Sequence, residues 1–202
     1  MTDILTGVLP ETVHIDGAEI PINTDFRTSI KFEILIQSDA PEREKISEAL
    51  KLYYPKIPRN TKKAVERIIE FYSGNSENCN GCGGEKSRTV QPVYSFKYDS
   101  EYIYAAFLQV YGIDLSSAKM HWHMFRALFK ALPEYCEIVK IMGYRAAKIT
   151  SDMSKKQQEF YRRMKKIYAF PLSENDKKIQ SEIENALING GDIQQIIEKY
   201  KG

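Results

Sequence analysis

The 202-residue sequence predicts a mainly α-helical domain with a short N-terminal β-hairpin. Three observations carry this. Apolar residues recur at i, i+3, i+4 and i+7 in successive segments, β-branched runs flank Asp16-Gly17, and Pro or Gly stands where helices should stop. Composition agrees: 43% hydrophobic and 28% charged residues exclude a fibre or a low-complexity tail. Lys plus Arg at 29 against Asp plus Glu at 27 leave a net charge of +2, far from the basic balance of a dedicated nucleic-acid binder.

The elements follow in chain order. Thr12 to Asn23 brackets Asp16-Gly17, the pair that most readily makes a type I′ turn, so a hairpin is expected at about 12–23. Pro21 confines its second strand to an edge. Residues 24–37 alternate at Ile30, Phe32, Ile34 and Ile36, yet the run is long for a strand; a helix capped by Asn23 or Thr24 is expected. Ile46, Ala49, Leu50 and Tyr53 form one helical stripe, and Val65, Ile68, Ile69 and Tyr72 another. Pro55 and Pro58 separate the two, and Asn60 is placed to cap the second. Residues 73–92 carry Gly74, Gly81, Gly83 and Gly84 without periodicity and read as a long loop.

From Tyr98 the chain is dense in aromatics. Ile103, Ala106, Phe107 and Val110 make one stripe, Tyr104, Leu108 and Tyr111 a second, and Gly112 ends that helix. The next helix is expected over 118–132, capped within 114–117, with an apolar arc of roughly 220° and with Lys119, His123, Arg126 and Lys130 facing out. Two such helices either fill one core or keep a face for another subunit. Further helices are expected at 134–148 and 152–169, the last with an apolar side of Phe160, Tyr161, Met164, Ile167 and Tyr168. Its basic face carries Lys155, Lys156, Arg162, Arg163, Lys165 and Lys166, read first as solvated, then as facing an acidic protein, and last as meeting nucleic acid or a membrane. Two short helices around Asn189-Gly190-Gly191 complete an appendage over 171–202, beside a single domain over 1–170.

Catalytic patterns are absent from the sequence: no Gly-x-Ser-x-Gly, phosphate-binding loop or dinucleotide fingerprint occurs. Cys79 and Cys82 have the spacing of half a zinc site and remain a weak metal candidate, because a structural zinc needs two more ligands. On a helix, His121 and His123 point about 200° apart and cannot share an ion; His121 reads as a hydrogen-bonded core residue. Three cysteines argue against a disulfide framework. Met1 to Leu9 lacks the basic residues of a secretory leader, and no stretch reaches membrane-spanning length; a cytoplasmic location is expected.

Four segments carry a family resemblance: Ile22-Asn23-Thr24-Asp25-Phe26-Arg27, the run from Tyr98 to Phe107, Tyr111-Gly112-Ile113-Asp114-Leu115, and His121 to Leu128. Together they resemble the bacteriophage gene-product-fifteen family over most of residues 10–170. Its members are encoded among phage tail genes near the tape-measure gene. The resemblance implies a tail assembly chaperone acting in the host cytoplasm on the tape-measure protein, with the tail-tube protein as a further partner; the apolar surplus of the two central helices adds a second copy of the chain as a candidate partner. It implies no enzyme activity, cofactor or membrane. The alternative is a structural tail or connector component of the virion. The client or self-association surface is expected on the aromatics of 98–132: Tyr98, Tyr102, Tyr104, Phe107, Tyr111, Trp122, Phe125 and Phe129.

Overall fold

The computed structural model describes residues 4–74, 92–171, 174–190 and 194–195. Among them are eight helices and one two-stranded sheet, the mainly α architecture that the periodicities predict. The chain divides into two compact units, Met1–Ala147 and Lys148–Gly202.

The first unit opens with β1 (Thr12–Ile15) and β2 (Ala18–Pro21), paired antiparallel. Asp16 and Gly17 both take positive φ, 49° and 81°, as a type I′ turn requires. Lys63 and Asn60 donate to the Asp16 carboxylate at 2.6 and 2.9 Å and pin the turn. Both bonds lower the carboxyl pKa, that from Lys63 the more.

Helix α1 (Phe26–Gln37) forms where the length argument placed a helix rather than a strand. Its cap is Asp25, not Asn23 or Thr24: the Asp25 side chain accepts from Arg27 N at 2.9 Å. Extended backbone persists to Asp25 because Thr24 O accepts from Trp122 N at 2.8 Å and Phe26 N donates to Met120 O at 3.0 Å. Next come α2 (Glu42–Tyr53) and α3 (Thr61–Ser73), the latter capped by Asn60 as expected. Residues 75–91, most of the expected loop, lie outside the described residues together with Cys79 and Cys82.

Helices α4 (Ser100–Tyr111), α5 (Trp122–Lys130) and α6 (Glu137–Ala146) complete the unit. The helix expected over 118–132 starts four residues late, and His121 caps it in place of 114–117. Arg27 explains the delay. It donates to Leu115 O, Ser116 O and Ala118 O at 2.7, 3.0 and 2.8 Å, which commits those carbonyls outside any helix.

Phe125 sits at the centre of the core. Its ring stacks between Phe26 (5.0 Å, 11°) and Phe107 (4.9 Å, 7°), within 6.1 Å of Trp122, Phe96 and Phe129. Offset stacks add about 0.5–1.5 kcal/mol per pair beyond area burial. At the N-terminus of α4, Asp99 is buried and meets Arg145 of α6 in a bidentate pair, at 2.6 and 2.9 Å. It also accepts from Ser95 N at 2.8 Å.

The second unit holds α7 (Lys155–Ile167) and α8 (Glu174–Asn189). A capping box between Ser154 and Gln157 starts α7. No residue of α7 is buried. Of the short helix expected after Gly191, only residues 194–195 are described.

Candidate functional site

The expected client surface separates into a buried part and an exposed part. Phe107, Trp122 and Phe125 lie in the core and offer no face to a partner, contrary to the expectation for them. Phe129 and Tyr111 are half-buried, and the Tyr111 hydroxyl donates to Leu128 O at 2.9 Å, fastening α4 to α5. Tyr98, in the turn before α4, and Tyr102 and Tyr104 on the helix are 45, 40 and 38% exposed, and Leu108 of α4 is 46% exposed. The two stripes read from α4 part over most of their length, with Ile103, Ala106 and Phe107 buried and Tyr104 and Leu108 exposed, and meet at its end, where Val110 and Tyr111 are both half-buried.

Beside this outer face lies a groove of about 260 Å³, floored by Phe26, Ile30, Ile103, Leu115 and Phe125. Arg27, Ser100, Tyr104 and Ser116 form its polar rim. The Asp114 carboxylate beside Tyr104 raises the phenol's pKa, and Ser116, which donates its hydroxyl and backbone N–H to Asp114 at 2.6 and 2.8 Å, lowers that of the carboxyl. Glu101 is the one charged residue of α4, whose outer face presents tyrosine rings, Leu108 and Ala105, while just before the helix Lys97 Nζ lies 5.2 Å from the centre of the Tyr98 ring. Such a face gains by burial, at about 25 cal/mol per Å² of apolar surface.

The His-Trp segment does other work. The C-terminus of α3 leaves carbonyls without helical partners, and α5 supplies donors: His123 Nε2 to Phe71 O at 2.8 Å, Trp122 Nε1 to Tyr72 O at 2.9 Å, and Arg126 Nη1 to Tyr72 O at 2.8 Å. A cation at a helix C-terminus also opposes the macrodipole. His123 and Arg126, expected to face out, are therefore half-buried. Gly74 makes room: its φ is 70°, and a Cβ there would lie 2.8 Å from Arg126 Nη1.

His121, being extended rather than helical, brings its ring to within 4.9 Å of the His123 ring, which overturns the 200° separation. It remains hydrogen-bonded as expected. Nε2–H donates to Pro10 O at 3.1 Å, and Nδ1 accepts from His123 N at 3.1 Å, which fixes the neutral Nε2–H tautomer. Burial lowers both histidine pKa values. Periodicity alone missed this cluster; the signal was the two donors and one cation spaced to reach a neighbouring helix end.

The basic residues of α7 are placed as predicted on one helix: Lys155, Lys156, Arg162, Arg163 and Lys166 are exposed and Lys165 half-buried. At 100° per residue Lys156 and Arg163 flank the apolar stripe rather than oppose it. Among the described residues no group of three or more His, Cys, Asp or Glu could hold a metal ion. Cys136 is a free, buried thiol whose pKa burial raises. No described helix is long and apolar enough to cross a membrane.

The family model described as Bacteriophage Gp15 protein matches residues 5–170. No curated protein and no solved structure matches the chain.

Proposed function

The chain belongs to the Bacteriophage Gp15 protein family and is a phage protein, and from that premise we propose that it is a tail assembly chaperone. It holds the tape-measure protein in the host cytoplasm while tail-tube subunits polymerise, by binding and without catalysis. The observation that carries this reading is the outer face of α4 beside the groove of Phe26, Ile30 and Ile103. An apolar groove next to exposed aromatics suits an amphipathic client helix, whose i, i+3, i+4 and i+7 side chains would anchor there. The basic face of α7 is a second contact for an acidic stretch of client, weakened by salt.

The test is co-expression with the tape-measure protein encoded nearby, followed by affinity pull-down and light scattering. The proposal expects soluble client in a defined complex, and virions that lack this chain by mass spectrometry. Client left insoluble, or the chain found as a stoichiometric virion component, rejects it in favour of a structural tail role.

A further inference from the structure

We propose that His121 is a proton-operated latch: a proton added to its ring uncaps α5 and releases the segment up to Pro10 from the first unit, while the aromatic core stays in place. The device belongs to the chain alone and stands apart from the chaperone reading.

Two neighbours hold the ring, and together they accept one protonation state. The Pro10 carbonyl can only accept, so Nε2, 3.1 Å away, carries a hydrogen. The His123 backbone N–H can only donate, so Nδ1, also at 3.1 Å, presents a lone pair. An imidazolium has two donors and no acceptor. The second proton therefore sets Nδ1–H against the His123 N–H, and a ring that swings away from His123 carries Nε2 off Pro10 with it.

The surroundings strengthen this response. The new charge falls at the N-terminus of α5, the positive end of its macrodipole, with the His123 ring centre 4.9 Å away and Arg126 one turn further on. From α3 the Phe71 ring stands edge-on at 5.6 Å and adds no charge. Asp25, opposite His121 in an isolated bridge, has its carboxylate 3.4 Å from the Arg27 guanidinium. Glu11 favours the charged ring, but burial outweighs it and holds the His121 pKa below its ordinary value. The latch is closed at neutral pH and opens in acid.

The moving parts are bounded on both sides. Trp122 N donates to Thr24 O at 2.8 Å without help from the ring, so α5 stays anchored and only its first turn loosens. Glu11 O accepts from Ile22 N at 2.9 Å in the hairpin, so the released stretch ends there. That stretch carries exposed Ile4, Leu5 and Val8 and half-buried Leu9 and Pro10. Acid thus frees a short aliphatic arm.

The experiment is NMR of the full chain from about pH 7.5 to about pH 4.5, across the ordinary histidine value, for wild type, His121→Asn and His123→Gln. Ring nitrogen shifts read the charge on each histidine. The protection factor of the amide at position 123 reads the cap, and heteronuclear NOEs over residues 5–9 read the arm. In wild type, charging His121 should lower that protection by about tenfold, the size of a lost cap, and lower the arm NOEs along the same titration curve. The buried Ile68 of α3 should keep its amide protection. Asn caps without titrating, so His121→Asn should hold the amide at 123 protected throughout, while its shorter side chain leaves the arm loose at every pH. His123→Gln should keep the His121 transition. A charged His121 that leaves the amide protected and the arm ordered overturns the proposal, as does a transition that survives His121→Asn or vanishes in His123→Gln.

Discussion

Helix α5 and the outer face of α4 are neighbours in sequence and equally rich in aromatics, yet α5 commits its Trp and Phe rings to the interior, leaving Met124, Ala127 and Lys130 exposed, whereas the tyrosines of the α4 face stay outside. Trp122 and Phe125 are buried, and His123 and Arg126 spend their polar atoms on the end of α3. Tyr98, Tyr102 and Leu108 meet solvent. The difference teaches that aromatic density has two uses in this chain, a frame and a surface. The residues that carry the family resemblance on α5 belong to the frame.

Substitutions in the frame should therefore cost stability, and those on the surface should not. The largest effects belong to Phe125→Ala and Asp99→Ala. The first empties the centre of the aromatic stack and should cost about 3–5 kcal/mol. The second leaves Arg145 buried without its carboxylate and should cost about 3–5 kcal/mol. Urea unfolding reads both. A loss under about 1 kcal/mol at Phe125 would mean that the core repacks without it.

Gly74→Ala should cost about 1–2 kcal/mol from the left-handed backbone alone, plus displacement of Arg126. A double-mutant cycle with Arg126→Ala separates the parts. The cost of Gly74→Ala should shrink when Arg126 is gone; equal costs in both backgrounds would show that the guanidinium moves away freely.

The histidine pair gives a pH dependence. Both folded pKa values lie below the unfolded value of about 6.5, so between them the unfolded chain binds more protons. Their contribution is complete above about pH 6.5 and declines as pH falls through the lowered values. Glu33 acts in the opposite sense, because burial raises its pKa even though the Tyr72 hydroxyl donates to it. Comparing wild type with His123→Gln isolates the histidine part, and the acid-side slope should be shallower in the variant. Parallel profiles would contradict the assignment.

The smallest stability effect is expected on the surface, where Tyr102→Ala and Leu108→Ala should shift unfolding by less than about 0.5 kcal/mol. A larger loss would place that face in the frame.

Much of this frame was legible in the sequence. The Asp16-Gly17 turn, the Asn60 cap and the Gly112 stop follow from local chemistry, as does a helix over 24–37, which the structure has from Phe26. Local chemistry could not reveal that Arg27 reaches 88 to 91 residues along the chain to three carbonyls and so delays α5 to Trp122. The same long-range pairing turned His121 toward His123. Periodicity marks an apolar stripe but not what covers it. By pattern, α5 and α7 are equally amphipathic, and α5 buries Trp122 and Phe125 while α7 buries nothing. For the same reason the client surface was read too broadly, with Phe107, Trp122 and Phe125 inside it.

The most direct test of the division into frame and surface is co-expression of the tape-measure protein with two full-length charge variants, Tyr102→Glu/Leu108→Glu on α4 and Phe160→Glu/Ile167→Glu on α7. The account predicts that the α4 variant folds and loses the client while the α7 variant keeps it. A client that stays soluble with the α4 variant and precipitates with the α7 variant would contradict the account and move the working surface to the second unit.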